Sequence, residues 1–216
     1  MAQVRIGVSA GAGLSYVTKE HIDASYEPSV LPQGDVALDI PLSGDFHLIT
    51  GMGYKIKGYK TTSVLRDKQM DAEDFYRTST QYNYLQLPVL VTYTHPFRNG
   101  NKLQFGGGLY YGFLLNAKVK AVIDHYDNGQ FEESTQYSFY LRTGLTPSGA
   151  ETPSGKRTEV LLLDCGLKLQ VNYIIQRHFV ATFFHEHSLY DIHVRNTNNL
   201  SSLKLRSTGI SLGYIF

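Results

Sequence analysis

Cysteine occurs once in 216 residues, at Cys165, and tryptophan not at all. A lone cysteine excludes an intramolecular disulfide and a thiolate pair for zinc. Charge is sparse as well: Asp, Glu, Lys and Arg make up 18% of the chain and the formal net charge is +1. No basic cluster stands out, so nothing points to nucleic acid as a partner. No apolar run approaches the ~20 residues a membrane helix needs, and helical periodicity is almost missing. These absences leave a membrane barrel open, because a barrel strand crosses with about ten residues that are apolar only at alternate positions. No leader pattern precedes the first strand pattern at Val4; if the chain is exported, a leader is expected to have been removed.

What the chain does have is 16 Tyr, 11 Phe and 20 Gly, a composition suited to sheets and unlike that of a disordered chain. Alternation at period two recurs and predicts eight strands, over 3–17, 34–42, 46–59, 82–97, 102–117, 159–174, 178–190 and 203–216. In the fifth, Leu103, Phe105, Leu109, Tyr111, Phe113 and Leu115 share one face; Gln104, Gly106, Gly108, Tyr110, Gly112 and Asn116 share the other. The last sets Ile210, Leu212, Tyr214 and Phe216 against Ser207, Gly209, Ser211 and Gly213. The seventh has no clear phase.

The connections alternate in length. Tight turns are expected at Ser43-Gly44-Asp45, at Arg98-Asn99-Gly100-Asn101 and near 175–177, whereas 18–33, 60–81, 118–158 and 191–202 are long. In an up-and-down barrel successive connections lie at opposite rims. One rim therefore collects the short turns and the other the long loops, the asymmetry of outer-membrane barrels, whose short turns are periplasmic. The expected fold is thus all-β: an eight-stranded antiparallel up-and-down transmembrane barrel spanning 1–216 as one domain. Within 118–158, the turn signal at Asp127-Asn128-Gly129-Gln130 predicts a ribbon projecting beyond the membrane. A ten-stranded ring is the competitor, but no turn residues support the reversal it needs near Lys118. Two copies of Thr-Pro-Ser-Gly, at 146–149 and 152–155, read as flexible turn segments.

A soluble lipocalin-like barrel also alternates, with charge outside and an apolar interior. Here the polar face is rich in Gly and Ser, suiting the narrow lumen that eight strands enclose. Arg5, Asp39, Lys55, Lys57, Asp164, Lys168 and Glu186 then fall inside, where mixed signs allow pairing. Aromatics near strand ends, such as Phe46, Tyr93, Phe97, Tyr173, Phe179 and Tyr214, fit the lipid–water interface or, more plainly, ordinary sheet packing.

Three stretches resemble the PorT-like outer-membrane β-barrel family of Gram-negative bacteria: Tyr84-Leu85-Gln86-Leu87-Pro88-Val89-Leu90, the Gly-rich strand from Gly51 to Gly58, and Gly106-Gly107-Gly108-Leu109-Tyr110. The ending Gly213-Tyr214-Ile215-Phe216 is similar to the aromatic-ended last strand that outer-membrane assembly machinery recognises, with Tyr214 and Phe216 as the signal. The resemblance implies a small barrel in outer-membrane lipid. It also implies no catalytic residues, no cofactor and, for some members, a link to protein secretion.

Other candidates weigh less. His185 and His187 share a strand face, so a metal site completed by His193 is conceivable; polar residues at a rim are the plainer reading. Ser188 differs in parity from both histidines, which makes a hydrolase triad geometrically poor. Cys165 reads as a small apolar residue facing lipid. Gly106-Gly107-Gly108 lacks the strand-to-helix context of a phosphate loop. Loop acids, among them Asp23, Glu27, Asp71, Glu73, Asp74, Glu132 and Glu133, read as solvated charge. The expected role is non-enzymatic and structural or interactive, through extracellular loops that meet a protein partner. A small-solute pore and a soluble ligand-binding barrel are the alternatives.

Overall fold

In the computed structural model, residues 3–19, 25–67, 72–127, 130–141, 143–144, 160–191 and 203–216 are described. The asparagine–glycine turn at 128–129, both Thr-Pro-Ser-Gly copies, His193, Asp23 and Asp71 lie outside them. The elements are β1 (Arg5–Lys19), β2 (Ser25–Pro41), β3 (Phe46–Asp67), β4 (Ala72–Pro96), β5 (Lys102–Asp127), β6 (Gln130–Tyr140), β7 (Thr143–Gly144), β8 (Val160–Leu161), β9 (Leu163–Ile175), β10 (Phe179–Ser188) and β11 (Leu203–Ile215). Eight of them form a closed ring in the order β4-β3-β2-β1-β11-β10-β9-β5, with β5 pairing back onto β4. The competing ten-stranded ring is ruled out by β9, which returns to pair with β5 directly (Phe113 opposite Leu163). Closure leaves no lipid-facing strand edge, the condition for a sheet to sit in hydrocarbon.

The first and last strands pair in register from Gly7 opposite Ile215 to Lys19 opposite Leu203, so both chain ends sit on the short-turn rim. There the backbone makes tight reversals. Gly44 and Gly100 take left-handed φ of 59° and 83°. Gln176 and Arg177 do so without being glycine, at 49° and 70°, as the two central residues of a type I′ hairpin must. On β5, Gly106 and Gly108 come so close to β4 that a Cβ on either would meet the Val91 or Val89 carbonyl oxygen at 2.1 Å.

Strand lengths differ sharply around the ring. Strands β9, β10 and β11 have 13, 10 and 13 residues, about what one crossing requires. Strands β3, β4 and β5 have 22, 25 and 26. On that side the wall continues past the membrane as a sheet, where β6 joins the β5 edge that β9 has vacated, Lys118 opposite Tyr140. The predicted strands stopped short here: 46–59, 82–97 and 102–117 cover only the lower parts of β3, β4 and β5. Likewise 34–42 misses the first nine residues of β2. Polar, threonine-rich segments such as 77–81 read as loop when no hydrophobic alternation marks them.

One register irregularity matters for the interior. Asn83 pairs with Asn116 while Tyr84 pairs with Leu114, so Leu115 is an extra residue on β5 and the inside–outside parity flips there. Leu114 and Ala117 are buried inside, whereas Asn116 is exposed outside, correcting its assignment to the lumen face. Its amide oxygen accepts from Asn83, which in turn accepts from the Tyr54 hydroxyl.

Arg177→Gly is expected to stabilise the fold. Relief of the left-handed residue, about 1–2 kcal/mol, outweighs the added freedom of the unfolded chain, about 0.4–1 kcal/mol. Arg177→Val should destabilise it. Urea midpoints in detergent micelles check both signs.

Candidate functional site

The outward side chains of the ring are apolar. Leu109, Leu163 and Leu212 are 39%, 49% and 72% exposed on the outer face. At the short-turn rim the outer aromatics pack edge to face: Phe46 on Tyr93 at 5.5 Å, and Phe179 and Phe216 on Tyr214 at 5.5 and 5.2 Å. Tyr93 continues to Phe105, and Phe97 to Tyr173. This girdle places the periplasmic lipid–water boundary.

Inside, alternate residues of the same strands converge on a charged layer. Strand β10 has the phase that puts Phe184, Glu186 and Ser188 in the lumen and His185 and His187 outside. Glu186, fully buried, lies 3.1 Å from Lys57 Nζ and 3.3 Å from Lys168 Nζ. Gln86 Nε2 donates to it at 3.1 Å. Asp164 is 3.2 Å from Lys57 Nζ and accepts from the Tyr110 and Ser188 hydroxyls. Lys57 also sits 4.1 Å from the Tyr110 ring centroid. Below this layer Lys55 pairs with Asp35 at 3.0 Å and takes Gln33 as acceptor at 2.6 Å. At the periplasmic mouth Asp39 accepts from Arg5 and contacts His47 Nδ1 at 2.6 Å. The seven lumen candidates thus face inward in two groups: Lys57, Asp164, Lys168 and Glu186 in one, Arg5 with Asp39 in the other, and Lys55 between them. Buried charge is tolerable only with such pairing.

Asp35, Gln33, Gln86 and Ser188 escaped the sequence reading. Asp35 shares the parity of Asp39 on β2, a signal that was there to use. Gln33 lay outside the predicted strand, and Ser188 on a strand whose phase the sequence left open. Large inward rings find space through glycine. A Cβ at Gly166 would lie 2.5 Å from the Tyr110 hydroxyl, and one at Gly209 would lie 2.6 Å from Phe184 Cζ. Open space includes a cavity of about 80 Å³ in the periplasmic half, lined among others by Ser9, Asp35, Lys55 and Lys168, and a larger one of about 500 Å³ at the periplasmic mouth, lined among others by Arg5, His47, Asn101 and His178. The first is enclosed by the charged residues. It has room for a few waters.

Above the parity flip the interior turns apolar. Tyr59, Tyr82, Tyr84, Leu114, Ala117, Val160, Leu203 and Leu205 form a buried cluster over the charged layer. Tyr26, Tyr59 and Tyr82 pack in series, edge to face at 5.2 Å and tilted at 6.3 Å. The lumen is therefore filled twice, by paired charge and then by hydrocarbon. Beyond it stands the projecting sheet. Every residue of β6 is exposed, and among the described residues its far edge has no partner strand. Phe75, Tyr126 and Phe131 pack edge to face near its tip, and Arg77, Asp124 and Ser134 are linked on the same side.

Among the described residues no group of three His, Cys, Asp or Glu is placed to hold a metal. Ser188 points to Asp164 inside, away from the outward histidines. Cys165 is half-buried on the outer face. The family model for the outer membrane protein beta-barrel domain matches residues 1–194. The chain belongs to that family. Its inverted polarity overturns the soluble lipocalin-like alternative, which needs the apolar face inside. Solved structures with a similar fold include Ail, the attachment invasion locus protein of Yersinia pestis, in complex with the heparin analogue sucrose octasulfate (10% identity, 99% of each chain covered, TM-score 0.38). Neisserial surface protein A has 8% identity, 97% of this chain and 96% of that one covered, and a TM-score of 0.37. The N-terminal barrel domain of Pseudomonas aeruginosa OprF has 10%, 99%, 100% and 0.34. These likenesses are distant. No curated protein sequence matches the chain. The outer-membrane barrel resides in the outer membrane with its long-loop rim outward.

Glu186→Leu should destabilise this barrel by about 3–5 kcal/mol, because Lys57 and Lys168 stay buried without their shared partner. A lowered urea midpoint in micelles checks it. At the tip, a hydrogen bond to Asp74 raises the His125 pKa above its usual 6.5. The pairing is complete below the imidazole's unfolded pKa and is lost as pH rises through the higher folded value. An NMR titration of His125 should show that raised midpoint, and Asp74→Asn should return it towards 6.5.

Proposed function

We propose that this outer-membrane barrel is a sealed, non-enzymatic scaffold that presents the β3–β6 sheet to a protein partner at the cell surface. The single observation that carries the reading is the pairing of a doubly filled lumen with an exposed strand whose outer edge is open. Loops and edges on a rigid frame serve recognition, and an extended segment of a partner would add to β6 by main-chain hydrogen bonds. In this reading residues 1–216 act as one unit, with 118–158 as its surface ribbon. The charged layer of Arg5, Asp39, Lys55, Lys57, Asp164, Lys168 and Glu186 is its plug. Tyr214 and Phe216 mark the last strand for the assembly machinery. The PorT-like resemblance adds a secretion-associated partner as the favoured class.

A small-solute pore is the competing role, and it needs a continuous lumen, which the paired charges and the tyrosine-rich cluster above them argue against. In planar bilayers the protein is expected to give no unitary conductance steps; reproducible steps would remove the sealed plug from this reading. A photo-crosslinking side chain at Gln136, on exposed β6, should yield a discrete protein adduct in intact cells. The same group at Asn101, on the opposite rim, should not. Absence of any adduct at Gln136 would end the surface-scaffold proposal.

A further inference from the structure

On the short-walled side of the barrel, four nitrogen-bearing side chains gather on the outer face where the apolar belt stops. Strand β11 alternates Leu203, Leu205 and Ser207, which are buried inside, with Lys204, Arg206 and Thr208, which are half-buried outside. On β10 the outward residues at this height are His185 and His187. Register makes them neighbours: His187 lies directly opposite Arg206, and His185 opposite Thr208. On the other flank, Tyr16 lies opposite Arg206 and Thr18 opposite Lys204. Directly opposed side chains have Cβ atoms about 4.5–5.5 Å apart, so the group forms one patch over three strands.

Height fixes what the patch meets. From Phe216 in the periplasmic girdle up to Arg206 is ten residues (216 minus 206). At about 3.3 Å per residue and a tilt of about 40° this is roughly 25 Å, the height of the apolar band. Below the patch the same face carries Phe183, Ile210, Leu212 and Leu14, all well exposed to the hydrocarbon level. On the tall-walled side the corresponding boundary is marked by neutral groups, Tyr54, Asn83 and Asn116, hydrogen-bonded to one another. Outward lysines also occur on that wall, at Lys60, Lys118 and Lys120, but without histidines opposite them.

The cations of the patch also lack counter-charges. Among the described residues no carboxylate lies within salt-bridge distance of Lys204 or Arg206. Arg206 Nε is buried with no hydrogen-bond partner. His185 uses Nδ1 on the Thr208 hydroxyl at 2.7 Å, which leaves its other ring nitrogen for a further partner. Asp191, the acid beside the start of β11, accepts from the Leu203 amide. Arg206 as a whole is only half-buried, so the rest of its guanidinium stays open at this height, where the anionic groups at hand are those of lipid heads. Phosphate suits the arrangement, since a guanidinium presents a planar fork to its oxygens.

We infer that His185, His187, Lys204 and Arg206 form a site for the phosphate of an outer-leaflet lipid, whose acyl chains lie down the Phe183–Leu212 face. The phosphate chemistry is shared by a lipid head and by free phosphate, and the test separates them. The full chain is reconstituted in phosphatidylcholine vesicles doped with diphosphoryl lipid A or with the same lipid dephosphorylated. It is then extracted in mild detergent, and bound lipid is read by native mass spectrometry.

The expected result is one retained diphosphoryl lipid, retention at least about tenfold lower for the dephosphorylated form, and a similar loss in Lys204→Ala/Arg206→Ala. Lys120→Ala, on exposed β5, should leave retention unchanged. Millimolar inorganic phosphate should not displace the lipid; displacement would show a bare anion site and overturn the lipid assignment. Equal retention of the two lipids by the unaltered protein would overturn the proposal outright, and that comparison needs no variant to fold. Heat-modifiable gel migration confirms that the double variant is folded.

Discussion

Hydrocarbon cannot hydrogen-bond, and the β4–β5 ladder is where this chain meets that constraint. Without it the ring would be an open sheet with two rows of unpaired amides facing lipid. With it, every strand of the wall has two neighbours at membrane depth. The outer face is then free to be leucine, valine and aromatic, and the polar half of each alternation is driven inward. The same closure that satisfies the backbone thereby concentrates Lys55, Lys57, Lys168, Asp35, Asp164 and Glu186 in a narrow lumen. They must neutralise one another because water has almost no room there.

Paired charge fills only part of the lumen. By flipping parity, the extra residue at Leu115 turns Ala117 inward in place of Asn116, so that Ala117 joins Leu114, Tyr59, Tyr82 and Tyr84 in an apolar layer. Two layers of opposite character now lie in series, one of paired charge and the other apolar. A bulge in a strand is a local event, yet here it decides which side chains line the lumen above it.

The barrel was legible in the sequence because its signal is periodic and lipid enforces it on one face of every strand. Lumen residues such as Asp164 and Lys168 followed from parity once the greasy face was assigned, whereas the inward phase of Glu186 had to come from the structure. Three things were hidden. The bulge was hidden because Leu114, Leu115 and Asn116 read equally well in either phase. The upper halves of β3, β4 and β5 were hidden because water on both faces relaxes the demand for alternation, so Arg77 to Gln81 carry no pattern. The patch around Arg206 was hidden because its members come from two strands separated by a long loop and meet only through register.

The branching of β5 has a mechanical corollary. One edge of this strand holds β9 at membrane depth and β6 above it, while the other edge holds β4 throughout. A pull applied to β6 from outside the cell is therefore borne by a continuous polypeptide of 26 residues that also completes the wall. Load on the projecting sheet would thus reach the wall through one unbroken strand, across the bend that the extra residue Leu115 introduces.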